Sequence, residues 1–129
     1  MWEKKVHVKS SLPIKEGRFS MFIGRWQPLH KGHQELFKQV LDQGGKVCIG
    51  IRDMEPDENN PYTANEVLDN IYGIYKDLIG EGKVKVIKLP DIASVDFGRS
   101  VGYDIVEWIP PTEIADISAT KIRNNDSTI

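Results

Sequence analysis

The chain has 129 residues, the length of one domain of roughly 100–150 residues. Lys+Arg is 17 against Asp+Glu 19, a formal charge of −2, so no bulk attraction to a polyanion such as nucleic acid exists. Cys48 is the one cysteine, which excludes an intramolecular disulfide and a cysteine-based zinc site. No apolar run nears the ~18 residues that span a membrane. The first residues lack the apolar stretch of a secretory signal. These features lead us to expect a soluble, cytoplasmic, single-domain protein.

Residues 1–18 read as a Lys-rich N-terminal extension punctuated by Pro13 and Gly17. Val6 and Val8 alternate with polar residues, so this part holds either a short edge strand or a mobile tail. Residues 19–24 are a short apolar run closing on Gly24, the pattern of a buried strand. A helix is predicted from Lys31 to about Gln43, with Leu36, Phe37, Val40 and Leu41 on one face and Gly44-Gly45 as its stop. Residues 46–51 make a second buried strand, and the polar stretch 52–62 a loop. Thr63, with Glu66 three residues on, forms a capping box that opens a helix to about Ile79. Residues 84–89 are a third strand, residues 93–97 a short fourth and residues 103–109 a fifth. Pro110-Pro111 breaks the chain, and Ser118 leads into a last short helix over residues 119–124. Strands alternating with helical crossovers predict an α/β fold, a parallel sheet with flanking helices.

In such sheets ligands bind beyond the carboxyl ends of the strands, at helix N-termini. The segment after the first buried strand is Gly24-Arg25-Trp26-Gln27-Pro28-Leu29-His30-Lys31-Gly32-His33. Gly24 lets a ligand approach the backbone. The helix start offers free N–H groups and a positive dipole end, suited to phosphate. His30 and His33 lie three apart at that start, and Arg25 and Lys31 add charge to the same anion-sized space. Ser118, as an N-cap, leaves backbone donors at the last helix, where Thr120 adds a hydroxyl and Arg123 a bidentate cation. Two phosphate-grade helix starts in one small domain suggest a polyphosphate bridging them.

His-x-Gly-His at 30–33 and Ile-Ser-x-Thr-x-x-Arg at 117–123 together resemble the nucleotidyltransferase superfamily, the cytidylyltransferase-like proteins. The stretch from Gly24 to His33 is similar to the archaeal-type nicotinamide-mononucleotide adenylyltransferases, as is Asn60-Pro61-Tyr62-Thr63-Ala64 at the second helix. Arg52-Asp53 and Gly98-Arg99 resemble the nucleotidyltransferase-like domain of some sulfate-activation kinase proteins. The resemblance covers about residues 18–125. It implies a Rossmann-like nucleotidyltransferase (HxGH) fold over residues 19–129. It also implies transfer of a nucleoside monophosphate from ATP or CTP to a small phosphorylated acceptor, with release of pyrophosphate.

By the family pattern His30 and His33 contact the triphosphate and stabilise the transition state. Ser118, Thr120 and Arg123 hold the β- and γ-phosphates, and Mg²⁺ travels with the triphosphate without dedicated protein ligands. Gly98 and Arg99 lie where the family places the base and ribose; a surface turn is the alternative. Arg52 and Asp53 would face the acceptor, or form a local ion pair. Trp26 stacks on an acceptor ring or packs within its loop. Trp108 is expected in the core or an interface, Cys48 in the core, and the acidic run Asp53, Glu55, Asp57, Glu58 in a solvated loop. His7 has no partner in sequence. Such proteins are often dimeric, so a homodimer is an implied assembly that no residue pattern requires. The chain departs from the family where an Arg is usual early in the second helix, since Glu66 is followed by Val67. That departure keeps open a second function, a non-catalytic nucleotide-binding module that regulates or scaffolds a partner.

Overall fold

A computed structural model describes residues 2–10, 17–98 and 102–111. The elements run β1 (Glu3–Val8), β2 (Phe19–Gly24), α1 (Lys31–Asp42), β3 (Lys46–Arg52), α2 (Ala64–Gly80), β4 (Val84–Leu89) and β5 (Ile105–Ile109). Strands β2, β3 and β4 form a parallel sheet in that spatial order, with Phe22 opposite Ile49 and Ile49 opposite Val86. Each crossover steps to the next strand in the same direction. Right-handed crossovers of that kind place α1 and α2 on the same face of the sheet.

That face is the core. Val47, Ile49 and Ile51 of β3 are fully buried beneath Phe37 of α1 and Ile71 of α2. Phe22 packs on Phe37 with ring centroids 5.0 Å apart. On the opposite face Phe19, Met21 and Ile23 are exposed, and Leu89 and Met21 close over Gly50, where a Cβ would stand 2.7 Å from Leu89 Cδ1. Cys48 is half-buried on this second face, its thiol pushed up by burial despite the opposing charge of Lys85.

The Thr63–Glu66 capping box forms as the sequence predicts: Thr63 Oγ1 accepts from the Glu66 N–H and Glu66 Oε1 from the Thr63 N–H. Two expectations are corrected. Residues 93–97 are not a strand; Ser94 Oγ donates to Asp96 Oδ2 at 2.9 Å, and such local bonding competes with a ladder that has no neighbour to pair with. The fifth strand begins only at Ile105 and lies outside the parallel sheet. It pairs antiparallel with β1, Lys4 opposite Trp108 and Val6 opposite Val106. The edge-strand reading of residues 3–8 thus holds, with β5 as the partner. Ser10 ties the pair down by donating its N–H to Asp104 Oδ1 at 2.7 Å. Trp2 and Trp108 rest against the main core. His7, which sequence left without a partner, meets Glu107 Oε1 at 2.9 Å across the ladder. The expected last helix falls outside the described residues.

Phe37 touches Phe22, Trp26 and Tyr75 and is fully buried. Phe37→Ala is therefore expected to lower stability by about 3–5 kcal/mol in urea denaturation of the intact chain.

Candidate active site

The loops after β2 and β3 both leave the carboxyl edge of the sheet, and α1 begins there. Its N-cap is His30, in extended conformation. His30 Nδ1 accepts the Gly32 N–H at 3.0 Å, and His33 Nδ1 accepts the His30 N–H at 3.1 Å. The two residues form a capping box in which imidazoles take the places usually held by Ser/Thr and Glu. The rings stack at 3.7 Å between centroids, 19° apart in plane.

This hydrogen bonding sets the chemistry. A neutral imidazole that accepts at Nδ1 carries its proton on Nε2. Both Nε2 atoms remain in contact with solvent and have no hydrogen-bond partner among the described residues. The helix start thus presents two N–H donors, each polarised by a backbone N–H behind it. Burial pulls His33 down to about 3, with the neighbouring His30 adding to the shift, and burial also lowers His30. Both rings are therefore uncharged near neutral pH. Sequence reasoning expected the helix amides themselves to face a ligand; His30 has taken that of Gly32, so the imidazoles stand in for it.

Trp26 lies beside the pair. Its indole Nε1–H donates to Gly50 O at 3.0 Å, and its ring meets His33 edge-on at 4.9 Å and 87°. A Cβ at Gly24 would come within 3.0 Å of the indole, so the space above this glycine belongs to Trp26. Arg25 turns to the second loop, donating to Asp57 Oδ2 at 3.2 Å and to Glu55 O at 3.1 Å. Asp57 is held low by hydrogen bonds from Asn60 and Asn59 and by Arg25. The acidic loop is thus anchored through Asp57. Lys31 is exposed and lines a groove with Gln34, Lys38 and Tyr75, away from the imidazoles. Arg52 reaches Asp91 at 3.4 Å and Ile92 O at 3.2 Å, not Asp53; Asp53 donates its N–H to Leu89 O at 2.8 Å. Gly98 is exposed. Arg99, Ser118, Thr120 and Arg123 lie outside the described residues.

Sequence reasoning missed Gln27, which is 5% exposed. Its amide donates to Tyr62 O and accepts the Tyr62 N–H, both at 2.9 Å, imitating a strand partner. That bond joins the histidine loop to the start of α2. The one signal was a polar residue wedged between Trp26 and Pro28; nothing in sequence names a partner 35 residues away. Beside the join, Trp26, Pro28, Tyr62, Glu66, Val67 and Asn70 line a hollow of about 220 Å³ with no cation in its wall.

Residues 21–77 match the cytidylyltransferase-like family. This part of the chain is similar to cytidylyltransferase-like proteins. Similar curated proteins include the nicotinamide-nucleotide adenylyltransferase of Archaeoglobus fulgidus, 37% identical over 57% of this chain and 45% of that protein. The enzyme of the same name from Methanococcus vannielii is 33% identical over 71% of this chain and 51% of its own length. The chain therefore spans about half the length of the curated relatives it matches. Among solved structures, a bifunctional NMN adenylyltransferase/ADP ribose pyrophosphatase from Francisella tularensis superposes with TM-score 0.50 at 29% identity. It covers 60% of this chain and 23% of its own, and was crystallised with AMP and a Mn ion. The Rossmann-like nucleotidyltransferase reading of the fold stands on these matches. No helix among the described residues is long and apolar enough to cross a membrane.

The depressed His33 gives a pH dependence with a definite sign. Below pH 6.5 the unfolded chain binds a proton at this position that the folded chain refuses until about 3. Stability therefore falls as pH drops from 6.5 towards 3 and is flat in this respect above 6.5. Melting temperature measured against pH is expected to show that slope, and His33→Gln to reduce it between pH 5 and 6.5.

Proposed function

We propose that this chain is an adenylyltransferase-type nucleotidyltransferase. It moves the nucleoside monophosphate of a triphosphate to a small phosphorylated acceptor and releases pyrophosphate. One observation carries the reading: two stacked, neutral imidazoles at the start of α1, both with Nδ1 occupied and Nε2–H unused. The arrangement suits phosphoryl oxygens, which accept and do not donate. The names of the relatives favour ATP over CTP as donor.

In this mechanism a phosphate oxygen of the acceptor forms a bond to the α-phosphorus, and the bond from that phosphorus to the pyrophosphate oxygen breaks. The nucleophile arrives ionised, so no strong base is required. Positioning and charge stabilisation carry the rate. His30 and His33 donate to the crowded phosphoryl oxygens from a preformed cap that needs no rearrangement. Ser118, Thr120 and Arg123 hold the β- and γ-phosphates, and Gly98 and Arg99 sit by the base and ribose. Arg25 is assigned to the nucleotide side and Arg52 and Asp53 to the acceptor side; Gly24, covered by the Trp26 indole, and Lys31, turned to another groove, are left out of the site. Residues 19–129 make the catalytic domain in this reading, with residues 1–18 as its extension.

Mg²⁺ is expected with the triphosphate. Among the described residues no group of three or more His, Cys, Asp or Glu side chains could hold a metal. The two histidines present N–H, not a lone pair, towards the ligand. A metal that rides on phosphate oxygens and water fits these residues. When bound, it neutralises charge on the triphosphate.

A second reading has one observation in its favour. Arg25 and Arg52, the arginines that follow β2 and β3, are already paired, Arg25 with Asp57 and Arg52 with Asp91. A nucleotide-binding module without turnover would show that pattern. Thermal titration with ATP, CTP, GTP and UTP plus Mg²⁺ tests the shared step. ATP is expected to raise the melting temperature of the wild type and not of His30→Ala, because only a ligand of the folded state stabilises it. Pyrophosphate release with a panel of phosphorylated acceptors then separates the two. Turnover that falls more than about tenfold in His33→Ala supports the enzyme. Saturable binding without pyrophosphate supports the module.

A further inference from the structure

We infer that Trp26 is the positioning residue of His33, the side chain that fixes the direction of its Nε2–H. The inference rests on reading the histidine pair as the phosphoryl-contacting group. Trp26 has φ 52°, the left-handed region that bulky residues rarely enter. Such a backbone persists where its surroundings over-determine it, and it clusters at sites where geometry is needed.

Three contacts hold the indole. Its N–H is bound to Gly50 O of β3 at 3.0 Å. Its ring lies over Gly24, where a Cβ would stand 3.0 Å from Cε2 and 3.1 Å from Cζ2. It meets the fully buried Phe37 at 5.5 Å and 74°. Strand and core thereby fix its place, and Trp26 passes that fixity on. It meets the His33 ring at 87°, while His30 stacks on His33 at 3.7 Å and the His30 N–H occupies Nδ1. With stack, hydrogen bond and indole all in place, the imidazole has one orientation and one tautomer. Without the indole, the stacked pair keeps a hinge about the His33 side chain, and water gains access to Nδ1. This accounts for Gly24 as well: it is the space in which the buttress lies.

The test uses the full chain and three variants, Trp26→Phe, Trp26→Leu and Gly24→Ala. Long-range ¹H–¹⁵N spectra of the imidazoles at pH 7 read the His33 tautomer directly. Wild type and Trp26→Phe are expected to show a single tautomer protonated at Nε2. Trp26→Leu and Gly24→Ala, which remove or displace the indole, are expected to show a mixture. In turnover, kcat should fall about tenfold or more in those two, with KM for the nucleoside triphosphate within about twofold and Phe restoring most of kcat. A single Nε2–H tautomer in both Trp26→Leu and Gly24→Ala overturns the proposal, as does a loss carried by KM alone. If Trp26→Leu does not fold, Gly24→Ala decides. If the wild type turns over no acceptor, the functional reading fails by itself and the spectra still decide the role of Trp26.

Discussion

The site depends on a reciprocal hydrogen-bonded cap between His30 and His33. Each imidazole accepts a backbone N–H at Nδ1, and each is thereby left with a proton on Nε2. Helix capping is usually a matter of stability, worth about 1 kcal/mol. In this chain the same bonds choose a tautomer. They turn two titratable side chains into two fixed donors, and burial keeps both neutral so that they can stack. The start of α1 and the candidate chemistry are therefore one structure, not a scaffold with residues placed on it.

The loops around the cap are joined as firmly as the strands beneath them. Gln27 pairs with both polar groups of the Tyr62 backbone, and Arg25 reaches Asp57 and the Glu55 carbonyl. Asp57 in turn gathers the N–H groups of Asn59 and Asn60. The loop after β2 thus cannot shift without the loop after β3. The Arg25 guanidinium is committed to Asp57 and largely buried, its side chain 15% exposed.

The match to cytidylyltransferase-like proteins covers residues 21–77, which hold most of β2, the cap, α1, β3 and most of α2. β4 and the residues after it lie beyond the match. Residues 93–97 run without a ladder, and β5 turns to β1. The chain spans about half the length of its curated relatives. Val67 follows Glu66 at the start of α2, and the hollow by Trp26 has no cation among the described residues that line it.

Local chemistry was legible from sequence. The apolar runs gave β2, β3 and β4, the period of Leu36, Phe37 and Val40 gave α1, and Thr63 with Glu66 gave the start of α2, because each is written in neighbours a few residues apart. His-x-Gly-His marked the start of α1 for the same reason. Whatever joins distant segments was not legible. No local rule pairs β1 with β5, Gln27 with Tyr62, or Arg25 with Asp57, since each partnership is set by where the parallel sheet delivers its loops. Trp26 shows the difference most clearly. Its sequence neighbours allowed a stacking platform or a packed loop residue; only the approach of β3, α1 and Gly24 decided that the indole lies against His33.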